Sequence, residues 1–192
     1  SSDVCSSDLF AMGPFKFEQH PVMYFADFVF YPLVILGGAA VLAVHAGGSA
    51  RVLLAAAVLG FLTWSFVEYA LHRFILHGLW PFKSWHETHH ERPFALIGSS
   101  TPVSMTAFAV LVLWPVSAAA GPWIALAATL GMTAGYLLYV VVHHAAHHWR
   151  ARPGSWMWVR KRCHALHHRP GASGWYGVTT SFWDRVFGTD DS

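Results

Sequence analysis

Residues 122–148 read PWIALAATLGMTAGYLLYVVVHHAAHH, an apolar run without a charged residue that ends in two pairs of histidines. The part from 122 to 142 is long enough for a helix that crosses the hydrocarbon core of a bilayer, which takes roughly 20 apolar residues. The pairs His143-His144 and His147-His148 follow where such a helix would leave the membrane. The stretch therefore predicts a membrane-spanning helix with a histidine group at one end.

Three further segments, 24–46, 51–76 and 102–119, come close to the same length. Gly-Gly-Ser at 47–49 joins the first two, and Ala120-Gly121 separates the last two. The chain is 55% hydrophobic and only 11% charged, with a mean hydropathy of +0.40, which argues against an ordinary soluble domain. The sequence predicts an all-α integral membrane domain at 24–192, with four crossings in two hairpins, after an N-terminal tail at 1–23.

Lysine and arginine are distributed unevenly about these crossings. Every one of them except Arg51 belongs to the side that carries the N-terminus, 77–101 and the segment after 142. By the positive-inside rule this side is cytoplasmic, so we expect a bacterial inner membrane protein with both termini and a histidine-rich cap, 77–101 and 143–192, in the cytoplasm. The net charge of +2 and the lack of a basic run argue against nucleic acid as a partner.

Histidines carry most of the chemical information, because all of them except His20 and His45 fall into four groups. The groups are His72-x4-His77, His86-x2-His89-His90, His143-His144-x2-His147-His148 and His164-x2-His167-His168. All four map to the predicted cytoplasmic side. Ionisable groups beside hydrocarbon are costly and tend to be functional, and neutral imidazole is the commonest protein ligand of transition metals. We therefore predict a metal site.

The spacing within each group indicates which histidines bind the same ion. Residues three or four apart share a face of a helix and can chelate one ion. The pairs with this spacing are His86 with His89 or His90, His143 with His147, and His164 with His167 or His168. His72 and His77, five apart, point about 140° away from each other on a regular helix, which predicts ligands for two different metals.

The type of ligand narrows the choice of metal. An all-imidazole set without thiolates argues against structural zinc, and the lack of an acidic cluster argues against magnesium or calcium. Iron, zinc, copper and manganese remain on chemistry alone. Glu68 precedes His72 by one helical turn, so we expect its carboxylate to accept the ring N–H of His72 and fix its tautomer.

The first, second and fourth groups resemble the histidine boxes of the fatty acid hydroxylase and sterol desaturase superfamily. The flanking segments, EYALHRF at 68–74, YGVTT at 176–180 and FWDRVFGT at 182–189, are similar to the branch that contains fatty acid 2-hydroxylases. The resemblance implies four crossings, a cytoplasmic histidine cap over two irons, which zinc can replace in purified protein, and an acyl chain that enters from the membrane. The ligands implied are His72, His77, His86, His89, His90, His143, His147, His164, His167 and His168.

The third group departs from the family's usual pattern, a plain HxxxH preceded by Tyr-Asp, because this chain has Tyr139-Val140 and doubled histidines. Either His143 with His147 or His144 with His148 can supply the ligands, and Tyr139 favours the first pair. Relatives commonly carry an N-terminal cytochrome b5-like haem domain, and the residues before position 24 are too few for one. The resemblance therefore implies a separate electron donor, cytochrome b5-like or ferredoxin-like.

The function that the resemblance implies is O2-dependent hydroxylation of a lipid acyl chain. Sterol or lipid desaturation by the same type of centre is an alternative. A carotenoid hydroxylase is another, although an HDGLVH-like third box would be expected there in place of HHAAHH at 143–148. A non-enzymatic membrane metal carrier would need ligands along a path through the bilayer, whereas only His45 lies on the far side.

Overall fold

The computed structural model of the chain describes residues 18–47 and 49–191, and within these ranges the protein is helical. The α-helices are α1 (Pro21–His45), α2 (Ala50–Ala70), α3 (Phe82–Glu91), α4 (Thr101–Phe108), α5 (Trp114–Ala120), α6 (Pro122–His148), α7 (Trp156–His167) and α8 (Phe182–Phe187). Two π-helical segments, Leu71–Leu76 and Ala109–Leu113, continue α2 and join α4 to α5. An isolated bridge between Glu18 and Ile97 is the only β-type pairing in the described ranges.

Four helical stretches are long and apolar enough to cross a membrane, as the sequence predicted. They are Pro21–His45, Ala50–Leu76, Thr101–Ala120 and Pro122–His148. The all-α membrane fold class is thus confirmed. Most of the predicted tail at 1–23 lies outside the described residues, and its last three residues already belong to α1. The last stretch continues as regular helix through the third histidine group to His148 rather than ending at 142.

α6 is the central helix of the membrane part, and it contacts both α1 and α2. α2 approaches α6 so closely that a Cβ atom at Gly131 would overlap the carbonyl oxygen of Ala57, and one at Gly60 would overlap that of Ala128. Small residues permit such backbone contact between membrane helices. Farther along the same interface an aromatic cluster packs between the helices, with Trp64 and Tyr136 in edge-to-face contact.

The outer surface of the bundle is apolar, in keeping with contact to lipid. Large aliphatic side chains on the membrane helices are mostly exposed, including Leu36 (68%), Val44 (75%) and Leu111 (72%). Soluble monomers rarely expose so much apolar surface, and such surface marks contact with a membrane or a partner. The position of these residues supports a multi-pass membrane protein.

A buried carboxyl group in α1 links three membrane helices. Asp27, which is 4% exposed, accepts hydrogen bonds from Thr101 Oγ1 of α4 (2.5 Å) and from the Tyr136 hydroxyl of α6 (2.6 Å). One turn farther along α1, the hydroxyls of Tyr31 and Ser104 lie 2.7 Å apart. Polar groups in a membrane interior face the bundle and pair with one another. This network fixes α1 and α4 against α6, the helix that ends in the third histidine group.

Candidate metal centre

The histidine side chains converge from four elements at one end of the bundle. The first π-helix and the residue after it carry His72 and His77, α3 carries the second group, α6 ends in the third, and α7 ends in the fourth. We call the set His72, His77, His86, His90 and His167 the first cluster, and the set His89, His143, His147 and His164 the second cluster. Within each set, one ligand atom from every histidine lies within 4.8 Å of all the others.

His72 and His77 both belong to the first cluster, so the expectation that they point away from each other was wrong. The π-helix at Leu71–Leu76 explains the difference, because the N–H of His77 bonds to the carbonyl of His72, five residues earlier, at 3.2 Å. In such a turn, residues five apart lie above one another instead of about 140° apart. The two rings are consequently neighbours, with centroids 5.2 Å apart.

The Nε2 atoms of the first cluster face one another at short distances. His72 Nε2 lies 2.9 Å from His86 Nε2, and His77 Nε2 lies 3.1 Å from His167 Nε2. His90 Nε2 lies 3.1 Å from both His86 and His167. Nitrogens about 2.1 Å from one ion and at right angles to each other would be separated by about 3.0 Å. The spacing of these five imidazoles therefore fits a single transition-metal ion.

In the second cluster, the Nε2 atoms also face one another at short distances. His143 Nε2 lies 3.1 Å from His89 Nε2, and His147 Nε2 lies 2.7 Å from His164 Nε2. His168 borders this cluster, with its ring centroid 4.5 Å from that of His164. Both nitrogens of His168 are buried without a hydrogen-bond partner. A buried imidazole in that state is costly unless its nitrogens bind something, and a metal ion next to His164 would meet this need.

The structure also selects among the pairings that the sequence left open. Because residues four apart lie almost in line on a helix, His86 joins His90 in the first cluster, while His89 points to the second. In α7, His167 belongs to the first cluster and His164 to the second, and His168 lies beside His164. Each of α3 and α7 therefore contributes side chains to both clusters.

In the third group, the two pairs of histidines lie on different faces of α6. His143 and His147 belong to the second cluster. His144 instead packs against Phe25 and Phe28 of α1, and its Nδ1 lies 3.1 Å from the Tyr24 hydroxyl. His148 is exposed and stacks on His144. The ring of Tyr139 stacks on that of His143, one turn away, on the cluster side of the helix.

Burial favours the neutral form of seven histidines at the two clusters and so keeps them available as ligands. It lowers the pKa of His77 to about 4, of His89 and His167 to about 3, and of His168 to about 2. Burial also lowers the pKa of His86, His90 and His164. Metal ions bind the unprotonated nitrogen of neutral imidazole, so near neutral pH no proton has to be removed from these rings before a metal enters.

A loop at 174–180, which we call the carbonyl loop, orients two rings of the first cluster. The Nδ1–H of His72 donates to the carbonyl of Tyr176 (2.6 Å), and the Nδ1–H of His167 donates to the carbonyl of Gly174 (2.7 Å). Because a carbonyl oxygen only accepts, both neutral rings carry their hydrogen on Nδ1 and present a lone pair on Nε2. Lone pairs thus point into the first cluster, as metal binding requires.

Glu68 does not bond to His72, contrary to the sequence-based expectation. Its carboxylate accepts hydrogen bonds from the backbone N–H groups of Val178 (2.7 Å) and Thr179 (2.8 Å) and from the Thr179 hydroxyl (2.7 Å). The Tyr176 carbonyl takes the position at His72 Nδ1 that Glu68 was expected to fill. A contact between residues more than 100 positions apart has no signature in helical spacing.

Asp184 is a further buried group at the centre that the sequence reasoning did not single out. Its carboxylate accepts from the backbone N–H groups of Tyr176 (2.8 Å) and Gly177 (2.9 Å) and from the Thr189 hydroxyl (2.8 Å). The segment FWDRVFGT had been noted only for its resemblance to the hydroxylase branch. The backbone partners of Asp184 are residues seven and eight positions earlier, a contact that the residue type and spacing of FWDRVFGT do not indicate.

An apolar groove opens below the carbonyl loop, between α2, α6 and α8. Its volume is about 430 Å³, and its walls include Phe61, Trp64, Leu138 and Trp183, with Thr179 of the carbonyl loop at one end. Thr179 is held by Glu68, one helical turn before His72. Thr179 and Glu68 thus connect the groove to the helix that carries His72, and the apolar lining suits an apolar chain.

Comparison with known proteins agrees with this geometry. The family model for fatty acid hydroxylase matches residues 57–189. The chain is 33% identical to a dihydroceramide fatty acyl 2-hydroxylase of Arabidopsis thaliana over 68% of its length, and 32% identical to the fatty acid 2-hydroxylase of Mus musculus over 69%. The matched regions span 58% and 38% of those two relatives.

A solved structure of full-length scs7p, in which only the hydroxylase domain is visible, has a similar fold. The TM-score is 0.74 at 26% sequence identity, and the superposition covers 88% of this chain and 68% of the other. The family match includes all four histidine groups, the carbonyl loop, Glu68 and Asp184. The chain belongs to the fatty acid hydroxylase family.

Proposed function

We propose that the protein is a membrane-bound dimetal monooxygenase that hydroxylates a lipid acyl chain next to its carbonyl group. The observation that carries this proposal is the pair of histidine clusters at the membrane boundary, in a chain of the fatty acid hydroxylase family. The relatives named above are 2-hydroxylases of fatty acids or of dihydroceramide fatty acyl groups, which suggests the position of attack. A fatty acid or an amide-linked acyl lipid is the proposed substrate class.

The proposed cofactor is two iron ions, for which zinc can substitute in purified protein. The first cluster would hold one ion, and the second cluster with His168 would hold the other. Neutral imidazoles leave bound iron Lewis acidic, and when bound the iron pair would supply the O2 activation that attack on an unactivated C–H bond needs. The histidines act in this proposal as ligands rather than as acids or bases.

The protein's own contribution is to position the ligands and the substrate. The carbonyl loop fixes the rings of His72 and His167. The apolar groove beside Thr179 would receive the acyl chain from the bilayer, and Trp183 in its wall donates a hydrogen bond to Ser65 of α2 at 3.1 Å. An apolar site of this kind excludes water from the reacting carbon, which limits side reactions of activated oxygen.

The reaction balances with an external source of electrons. An acyl CH2 group, O2, two electrons and two protons give CHOH and one water molecule. The proposed donor is a separate cytochrome b5-like or ferredoxin-like protein. Exposed basic side chains on the cap, Arg150, Arg152, Arg162 and Arg169, provide a surface of suitable charge for an acidic redox protein.

We also infer the orientation of the protein in the membrane. The described lysines and arginines other than Arg51 lie on the side of the histidine clusters, and Arg51 follows the opposite turn. In a bacterial inner membrane the positive-inside rule would place the clusters and both termini in the cytoplasm. A cytoplasmic cap would also be accessible to a soluble electron donor.

The proposed activity predicts incorporation of one atom from O2 into an acyl chain. Membranes containing the protein would be supplied with a reductase system, a long-chain fatty acid or N-acyl lipid, and 18O2. Mass spectrometry of the released fatty acids is expected to show a 2-hydroxy acid carrying one 18O atom. The product should be absent from membranes with the His86→Ala variant, because His86 is a member of the first cluster.

The same measurement distinguishes hydroxylation from its main alternative. A desaturase would release an unsaturated acid, two hydrogens lighter and without 18O, and that product would refute the proposed hydroxylation. Hydroxylated lipid that carries oxygen from water would refute the monooxygenase mechanism. A matched His148→Ala preparation controls for expression, because His148 lies outside both clusters and is exposed.

A further inference from the structure

The carbonyl loop connects the first cluster to two buried carboxylates that are not in either cluster. On one side of the loop, the carbonyls of Gly174 and Tyr176 accept from His167 and His72. On the other side, the loop's backbone N–H groups donate to Glu68 of α2 and Asp184 of α8. The two carboxyl groups hold the loop, and the loop's carbonyls hold the two imidazole rings.

The carboxylates hold the loop at four successive residues. Asp184 accepts the N–H groups of Tyr176 and Gly177 on separate oxygens, and Glu68 accepts those of Val178 and Thr179 on one oxygen. Glu68 is 3% exposed and Asp184 is fully buried. An unpaired buried N–H group is costly, so these four hydrogen bonds leave the backbone of the loop little freedom.

In the second cluster, no backbone carbonyl among the described residues accepts a hydrogen bond from a histidine ring. The Nδ1 atoms of His89 and His164 are buried without a hydrogen-bond partner, and so are both nitrogens of His168. The first cluster has two rings fixed through Nδ1 by the carbonyl loop. The protein therefore orients the ligands of its two clusters to different degrees.

We propose that Glu68 and Asp184 are positioning residues for the metal of the first cluster only. By holding the carbonyl loop they fix the tautomer and the orientation of His72 and His167, without contact to the ion. The proposal rests on the dimetal centre proposed above. Loss of an outer partner of a metal-binding histidine typically weakens metal binding by about 10- to 100-fold, and here the loss would affect one of two sites.

A pair of variants at position 68 separates hydrogen bonding from charge and size. In Glu68→Gln, the amide oxygen still accepts from Val178 and Thr179, and the amide N–H2 can donate to Thr179 Oγ1. Glu68→Leu has a similar volume and accepts nothing. After dialysis against a chelator, Glu68→Gln is expected to keep about the wild-type metal content, while Glu68→Leu loses the first of its two metals at about 10- to 100-fold lower chelator concentration.

Combined variants show which site is weakened. Adding His77→Ala, in the first cluster, to Glu68→Leu should remove no further metal, since both changes act on one ion. Adding His147→Ala, in the second cluster, should remove the remaining ion. Gel filtration in detergent and thermal unfolding would verify that the variants are folded. A general structural defect would weaken both sites and would not be rescued by glutamine.

Asp184→Asn provides the test if Glu68→Leu does not fold. Asparagine has one carbonyl oxygen, so its N–H2 group must face the N–H of either Tyr176 or Gly177, and the first site should again be the weaker one. If both sites in the folded variants were equally sensitive to the chelator, the positioning role would be overturned, while the dimetal centre would stand. A wild-type protein that binds no metal would refute the dimetal centre and this role together.

Discussion

Replacing His147 by alanine is expected to abolish hydroxylation and to remove one of the two metals, whereas replacing its neighbour His148 should leave both nearly unchanged. His147 Nε2 faces His164 Nε2 at 2.7 Å in the second cluster. His148 is exposed on the other face of α6 and contacts His144 and Phe94. Loss of a direct ligand should lower metal affinity by more than about 100-fold, which is the upper limit for loss of an outer partner of a metal-binding histidine.

The adjacent positions make this comparison well controlled. Both substitutions remove the same side chain from the same turn of one helix, so effects on helix stability and membrane insertion should be similar. Metal content and product formation would be measured for both variants in the same detergent preparation. If His148→Ala lost metal and His147→Ala kept it, the assignment of the third histidine group would be reversed.

The variants His72→Ala and His77→Ala should each lose the same metal ion, and the double variant should lose no more than either one. Both residues belong to the first cluster, because the π-helix at Leu71–Leu76 aligns residues five apart. Each variant, and also the double variant, is therefore expected to retain about one metal per chain, in the second cluster, and to be inactive.

A regular α-helix at this position would give a different result. His72 and His77 would then point about 140° apart and serve different ions, so that each single variant would lose a different metal and the double variant would lose both. Elemental analysis of the three variants distinguishes these outcomes. A double variant without metal, in folded protein, would contradict the arrangement of the first cluster.

The membrane fold was predictable from the sequence because its causes are local. Apolar runs of the right length give the crossings, and the Gly-Gly-Ser and Ala-Gly breaks give the turns. The spacing of three and four residues also identified side chains that can chelate together. Which of His89 and His90 pairs with His86 depends on how α3 is rotated against α6 and α7, and no local pattern specifies that rotation.

The errors arose where the structure departs from local regularity. The π-helix after α2 adds one residue to a helical turn, and the sequence LHRFIL contains no glycine or proline that would indicate it. Glu68 was assigned to His72 because the two are one turn apart, yet its partners are Val178 and Thr179. The role of Asp27 was likewise missed, since its partners Thr101 and Tyr136 come from distant helices.

The most direct test of the dimetal centre is the metal content of the wild-type protein. The chain would be produced in iron-supplemented cells, purified in mild detergent without added metal, and examined by elemental analysis beside the His86→Ala and His168→Ala variants. The two clusters predict about two transition-metal ions per chain in the wild type and a clear loss in each variant. Monodisperse, folded wild-type protein without bound metal would contradict the dimetal centre.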